Sequence, residues 1–435
     1  MSESALPLAM AALTLCGILA GYRVGMVLAG SAAIFILVSD LPIAFFNLLT
    51  SRIYANVLSN WLLVAIPMFI FMGLILETSG VAERSLRAAQ RALGGSAAGM
   101  GLSVLAIGIL LAASSGIVGA SVVLLTLLAL PRLTEAGYDN STSAGLVAAS
   151  GTLAILIPPS VMLIVLGDQL QTPIPDMFAG AIGPGLLMVL AYAGLVFWRA
   201  RGLPSLSRSE RGSLWRLVID LGPLLILVVS VLGSIINGLA TPTEASGIGA
   251  FGALFITLLY RRFSLSMMLE AARQTVVTTS MVLFVMIGAT CFSAVFKGVG
   301  GDDLVETGVM LFGDGAFTVL LVVMGAIFVL GFVLDWLEIT LILLPIFAPI
   351  VAALEFGNGL AGEALLVWFG ILVAVNLQTS FLTPPFGFSL FYLRGAAKDR
   401  LTTTEIYRGV LPFIALQLSV LALLILFPGL ITGLT

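Results

Sequence analysis

Apolar runs follow one another along nearly the whole chain, near residues 5–21, 24–46, 57–77, 97–115, 117–131, 143–157, 160–170, 177–198, 214–237 and 244–260. Further runs lie near 275–296, 316–333, 337–354, 365–380, 385–393 and 407–433. A helix needs about 20 apolar residues to cross the hydrocarbon core, so the longer runs predict transmembrane helices. The shorter ones read as pairs. Runs 97–131 and 316–354 predict hairpins that enter and leave on one side, whereas 143–170 and 365–393 predict single crossings interrupted in the middle.

Composition sets the class. Of the 435 residues, 60% are hydrophobic and 9% charged, against about a quarter charged in soluble domains. Such a chain has room for on the order of a dozen spans. The first run, Leu6 to Ala20, follows Glu3 rather than a basic leader, which predicts a retained helix instead of a cleaved signal peptide. No histidine is present, so imidazole-based zinc, haem and general-base chemistry is excluded. Cys16 and Cys291 each lie in an apolar run and read as small buried packing residues. The net charge of −3 speaks against nucleic acid as a partner.

The few charges fix the topology. Arg199, Arg201, Arg208, Arg211 and Arg216 crowd a stretch holding Pro204, four serines and one acid, and the positive-inside rule puts that stretch in the cytoplasm. With two hairpins and two broken crossings, parity then places 17 of the 19 basic residues inside, and only Arg52 and Lys297 outside. The outside collects Asp168, Asp176, Asp302, Asp303, Glu306, Asp314, Glu355 and Glu363, and both termini.

The halves share a grammar. ASGTLAILIPPSVMLIVLGD (149–168) and NLQTSFLTPPFGFSLFYLRG (376–395) are apolar runs split by a double proline, each preceded by a predicted hairpin. IPMFIFMGLILETSG resembles FVMIGATCFSAVFKGVGG further upstream, at an offset near 215 to 226 residues. The loop of Arg84, Arg87 and Arg91 corresponds to the acidic loop 302–314, and equivalent loops of opposite charge bias imply inverted-topology repeats. The predicted fold is an all-α polytopic membrane protein: 1–200 the first inverted repeat, 201–213 a cytoplasmic linker, 214–435 the second.

A proline cannot donate to the carbonyl four residues back. Pro158 and Pro159 thereby release Ala154 and Ile155, and Pro384 and Pro385 release Ser380 and Phe381. Carbonyls freed in hydrocarbon need a partner, and a hard cation is one. Hydroxyls of Ser160, Ser380 and Thr383 stand near the breaks, and Ser114 and Ser115 near the first hairpin tip. Half-helix ends add dipoles that favour an anion at N-termini and cations at C-termini, which predicts one anionic substrate group flanked by two cation sites. At the second tip, Asp335 reads either as a functional carboxylate or as a solvated residue or cap of the next helix, and Glu338, three residues on, as a pore-facing group or a pair partner. ATPTEA, with Thr241, Pro242 and Glu244, reads mainly as a helix start.

Six stretches together resemble the large membrane subunit of tripartite ATP-independent periplasmic (TRAP) transporters: SSGIVGASVV, ALPRLTEAGYD, ASGTLAILIPPS, ATPTEASGIGA, GFVLDWLEITLILLPIFAPI and SFLTPPFGFSLFYLRGA. They span both halves, and three look like the subgroup labelled mannitol/chloroaromatic type. The resemblance implies a DctM-like permease of the bacterial inner membrane, not an enzyme. It implies import of a small organic acid by an elevator movement of a transport domain against a scaffold, driven by sodium. It also implies two partners, a small four-helix membrane subunit and a periplasmic substrate-binding protein. Carried onto this chain, the sodium ligands are Ser114, Ser115, Ala154 and Pro159 for one ion, and Gly331, Ser380, Thr383 and Phe386 for the other. Substrate contacts are expected from Ser114, Ser115, Ser160, Asp335 and Thr383. The family often has glycine where this chain has Ala154 and Ser380.

Other readings remain. A stand-alone sodium/anion symporter of related architecture shares the hairpins. A prenyl or lipid transferase would need paired acidic motifs for magnesium-pyrophosphate, and only Asp302 and Asp303 are adjacent. A channel fits inverted hairpins less well than alternating access does.

Overall fold

The computed structural model describes residues 5–39, 41–93, 95–115, 118–203, 214–357, 360–384 and 387–433. Helix makes up 82% of the described residues, and no strand occurs among them. The first half runs α1 (Ala5–Leu19), α2 (Val24–Val38), α3 (Phe45–Ile53), α4 (Ala65–Thr78), α5 (Val81–Leu93), α6 (Ala97–Ser115), α7 (Val118–Glu135), α8 (Asn140–Thr152), α9 (Val161–Leu170) and α10 (Ile174–Arg199). The second runs α11 (Leu214–Ile236), α12 (Pro242–Leu259), α13 (Leu265–Gly298), α14 (Gly301–Met310), α15 (Ala316–Leu330), α16 (Trp336–Ile342), α17 (Leu344–Ala352), α18 (Gly362–Ser380), α19 (Phe388–Ala397), α20 (Thr403–Leu426) and α21 (Gly429–Thr432). Among the described residues, eight helices are long and apolar enough to cross a membrane.

Several boundaries differ from the apolar pattern, each for a local reason. Run 24–46 ends as helix at Val38, because Pro42 lacks an N–H and biases its predecessor away from helix. Run 337–354 is two helices: Pro345 cannot donate to the Leu341 carbonyl, and the ladder breaks at Leu343. Run 407–433 likewise splits before Pro428. Run 275–296 is the middle of a 34-residue helix whose Ser264 hydroxyl accepts the Met267 N–H at 3.2 Å. Helices α5 and α14 fall outside the apolar runs because they are amphipathic. Cys291 is buried as expected; Cys16 is exposed instead, since α1 packs mainly against α2 at the edge of the bundle. Residues 204–213, most of the predicted linker, lie outside the described residues.

The same neighbours recur in both halves. Helix α4 lies along α12 as α13 lies along α2, α6 along α8 as α15 along α18, and α1 along α2 as α11 along α12. Close crossings are built on glycine, since apolar side chains gain nothing by leaving lipid and helices hold by approaching tightly. A Cβ on Gly288 of α13 would stand 2.5 Å from the Gly25 carbonyl oxygen of α2. A Cβ on Gly145 of α8 would collide with the Gly409 carbonyl of α20, and one on Gly409 with the Ser141 carbonyl.

At the centre stand the two interrupted helices. Every residue from Thr142 to Thr152 in α8 is buried, bar none, and so is every one from Val367 to Ser380 in α18.

Candidate functional site

Both chain breaks occur at the proline pairs. After α8, residues 153–155 form one 3-10 turn, and α9 restarts at Val161. After α18, the chain turns at Phe381–Pro384 and α19 restarts at Phe388; Pro385 and the predicted ligand Phe386 lie outside the described residues.

The freed carbonyls meet a shared device. The hydroxyl of Ser160, fully buried, donates to the Ile155 carbonyl at 2.7 Å, and that of Ser389, also fully buried, donates to the Phe381 carbonyl at 2.6 Å. These are the carbonyls four residues before the second proline of each pair. A serine in the restarting helix thus satisfies each one, in the apolar interior where an unpaired carbonyl costs most. Ser160, an expected substrate contact, therefore spends its proton on the backbone. The Ser380 carbonyl accepts the Thr383 N–H at 3.2 Å, while the Ala154 carbonyl has no such neighbour, because the N–H of Ile157 goes to Leu153 at 3.0 Å.

Each hairpin seats its tip against a break. At the second tip, a Cβ on Gly331 would stand 2.6 Å from Cβ and Oγ of Ser380, so only glycine allows this approach. Gly331, Ser380 and Thr383 are thereby brought together, the Thr383 hydroxyl donating to the Thr379 carbonyl at 2.8 Å. Asn376, one turn before Ser380, donates from Nδ2 to the Met324 carbonyl at 2.8 Å and ties α18 to α15. At the first tip, α6 runs against the 153–155 turn, and a Cβ on Gly151 would stand 2.5 Å from Val122 of α7. Ser114 and Ser115 end α6 there; their side chains lie outside the described residues. The tips also reach across the halves, with Gly119 against the ring of Tyr392 in α19.

The tip carboxylates act on the backbone. Asp335 caps α16, accepting the Trp336 N–H at 2.8 Å, and Glu338 reaches back to the Asp335 N–H to complete a capping box. ATPTEA forms the same device: Glu244 accepts the Thr241 N–H at 2.8 Å and Thr241 accepts the Glu244 N–H at 3.3 Å. Among the described residues no group of three or more Cys, Asp, Glu or His could hold a metal ion. A cation at either break would rest on backbone carbonyls and hydroxyls, the hard neutral oxygens suited to an alkali ion.

The family model described as "Tripartite ATP-independent periplasmic transporter, DctM component" matches residues 8–430. The chain belongs to that family. The DctM-type permease is thus a component of a secondary transporter, not an enzyme, and a multi-pass protein of the inner membrane. It is 30% identical over 418 residues to the isethionate TRAP transporter permease protein DctMQ of Oleidesulfovibrio alaskensis, covering 93% of this chain and 62% of that longer relative. To the C4-dicarboxylate TRAP transporter large permease protein DctM of Pseudomonas aeruginosa it is 30% identical over 385 residues, 85% of each. Among solved structures, the Alcanivorax borkumensis YdaH transporter superposes with a TM-score of 0.66 over 98% of both chains at 14% identity, a likeness of fold alone.

Two residues of the permease escaped sequence reasoning. Ser389 lies eight residues from the carbonyl it serves, and only its placement beyond the second proline pair hinted at a role. Gln378 is fully buried in the last turn of α18, and neither its amide nitrogen nor its oxygen has a hydrogen-bond partner. The available signal was a polar cluster, Asn376 to Ser380, at the end of an apolar run. Leaving such a group unpaired costs about 1–3 kcal/mol, which makes it a candidate ligand contact. Gln378→Met, apolar and of similar size, is expected to raise thermal stability in detergent while lowering uptake; a variant that is less stable with uptake intact would make Gln378 a packing residue.

Proposed function

We propose that the permease is the large subunit of a sodium-coupled symporter that imports a small organic acid with the help of a binding protein. The observation that carries this reading is the seating of each hairpin tip on an interrupted helix: Gly331 on Ser380, and Val122 on Gly151. Such junctions gather carbonyls and hydroxyls at mid-membrane, where sodium has no water to keep. One ion is assigned to Ser114, Ser115, Ala154 and Pro159, the other to Gly331, Ser380, Thr383 and Phe386. The substrate is assigned to the space between, with Ser114, Ser115, Ser160, Asp335 and Thr383 around it.

The repeats are taken as 1–200 and 214–435 joined by a cytoplasmic linker, 201–213, with hairpins and broken helices moving together as an elevator against the remaining helices. Two relatives are named for isethionate and C4-dicarboxylate, both small organic anions, which supports the substrate class. The relative named DctMQ supports a small membrane subunit as partner, alongside a periplasmic binding protein.

Proteoliposomes holding the permease and both partners test the coupling. Uptake of the acid retained by the binding protein should require an inward sodium gradient; equal uptake with potassium alone would overturn the sodium assignment.

A further inference from the structure

The only two basic residues that charge parity places outside, Arg52 and Lys297, are 245 positions apart in sequence yet line one open cavity of about 490 Å³. That volume suits a small organic molecule. Its inner wall is one face of α13: Lys297, Ser293, Thr290 and Met286 follow at helical spacing, a descent of about 16 Å toward the middle of the bilayer. Leu341 and Pro345 of the second hairpin also line it, and Lys297 donates to the Pro345 carbonyl. The cavity thus runs from the outer face along α13, beside the second hairpin.

Among its charged residues, Arg52 is the cation without an ion pair among the described residues, and a guanidinium stays protonated. Lys297 donates to the Pro345 carbonyl at 3.0 Å and lies 3.5 Å from Asp302, which leaves one of its three protons uncommitted. Asp168 is the one acid in the lining, and its oxygens already accept from Asn60 at 2.7 Å and Gln169 at 3.0 Å. An adjoining cavity of about 530 Å³ shares Asn60, Asp168 and Gln171 but carries Glu363 and no basic residue. Of these two cavities, the first alone offers an anion a basic side chain.

We propose that this cavity is the outer receiving site of the permease, in which Arg52 and Lys297 hold the carboxylate or sulfonate of the incoming acid before it descends α13 past Ser293 and Thr290. The proposal rests on the organic-acid reading above, and its test uses neither sodium nor substrate, so the two fail separately. In a Cys16→Ala/Cys291→Ala background, Ser293→Cys is exposed in right-side-out vesicles to two impermeant thiol reagents. These are the anionic methanethiosulfonate-ethylsulfonate and the cationic methanethiosulfonate-ethyltrimethylammonium. Rates are normalised to a small free thiol, which removes their intrinsic difference. The anionic reagent should be favoured, and Arg52→Gln/Lys297→Gln should lower that preference by about tenfold, as expected for two unit charges acting on opposite probe charges. Arg52→Lys/Lys297→Arg, which keeps both charges, should retain it and controls for folding. A cysteine unreactive from outside, or a preference unmoved by the neutral pair, overturns the proposal.

Discussion

Gly409→Val is expected to prevent the permease from folding into a monodisperse particle. A Cβ at 409 collides with the Ser141 carbonyl, and Gly409 in turn presents its own carbonyl where a Cβ at 145 would lie. Both obstacles are helical backbone, which cannot rotate aside as a side chain can. Helices α8 and α20 would have to separate, and α8 carries the first break. Overpacking a tight core costs about 1–3 kcal/mol where side chains adjust; with backbone on both sides the cost should lie at or above the upper end. Gly247→Ala is the control. No atom lies within 4 Å of a Cβ there, and alanine suits a helix better than glycine by up to about 1 kcal/mol. Size-exclusion profiles and thermal unfolding in detergent read the contrast. If Gly409→Val behaves like Gly247→Ala, the close crossing does not hold the bundle.

The second large effect is expected at the paired serines. Ser160→Ala removes the proton that satisfies the Ile155 carbonyl, and Ser389→Ala removes the shorter of the two bonds to the Phe381 carbonyl, leaving the Ser389 N–H at 3.3 Å, both at positions with no exposed surface. An orphaned buried acceptor costs about 1–3 kcal/mol. Because each serine fixes where the second half-helix restarts, the loss should fall on the break itself. Uptake is expected to drop at least tenfold in either variant, and the double variant should be less stable than either alone. Near-normal uptake in both would show that the breaks hold their shape without these bonds.

The serine pair also marks how far the sequence can be read. Two double prolines at matched offsets were enough to place both breaks, since a residue without an N–H interrupts a helix wherever it falls. They named the orphaned carbonyls of Ile155 and Phe381 as well. What donates to those orphans depends on side chains folding back over the break, and Ser389 returns across a turn that periodicity does not describe. Asp335 and Glu338 show the complementary case. Capping by Asp335 was already one reading of the sequence, and a functional carboxylate arose as the other because the tip lies among apolar residues; that Glu338 completes a capping box is visible only in the fold. Gln378 was passed over because it stands among the polar residues Asn376, Thr379 and Ser380 and nothing in that run singles it out; its lack of partners is a property of everything packed around it.

The sequence by itself determined the membrane as solvent, the helical class, the repeated order of elements, the sites of interruption and the family. Those follow from composition, hydrophobic period, proline chemistry and charge bias, all of which act locally along the chain. Tertiary structure alone decided which glycines are crossings, that Gly331 rests on Ser380, and that Arg52 and Lys297 face one cavity. These are contacts between residues 29 to 273 positions apart, and no local energy term relates them. They exist because helices in lipid, gaining nothing from burying apolar surface, settle where small residues let backbones meet.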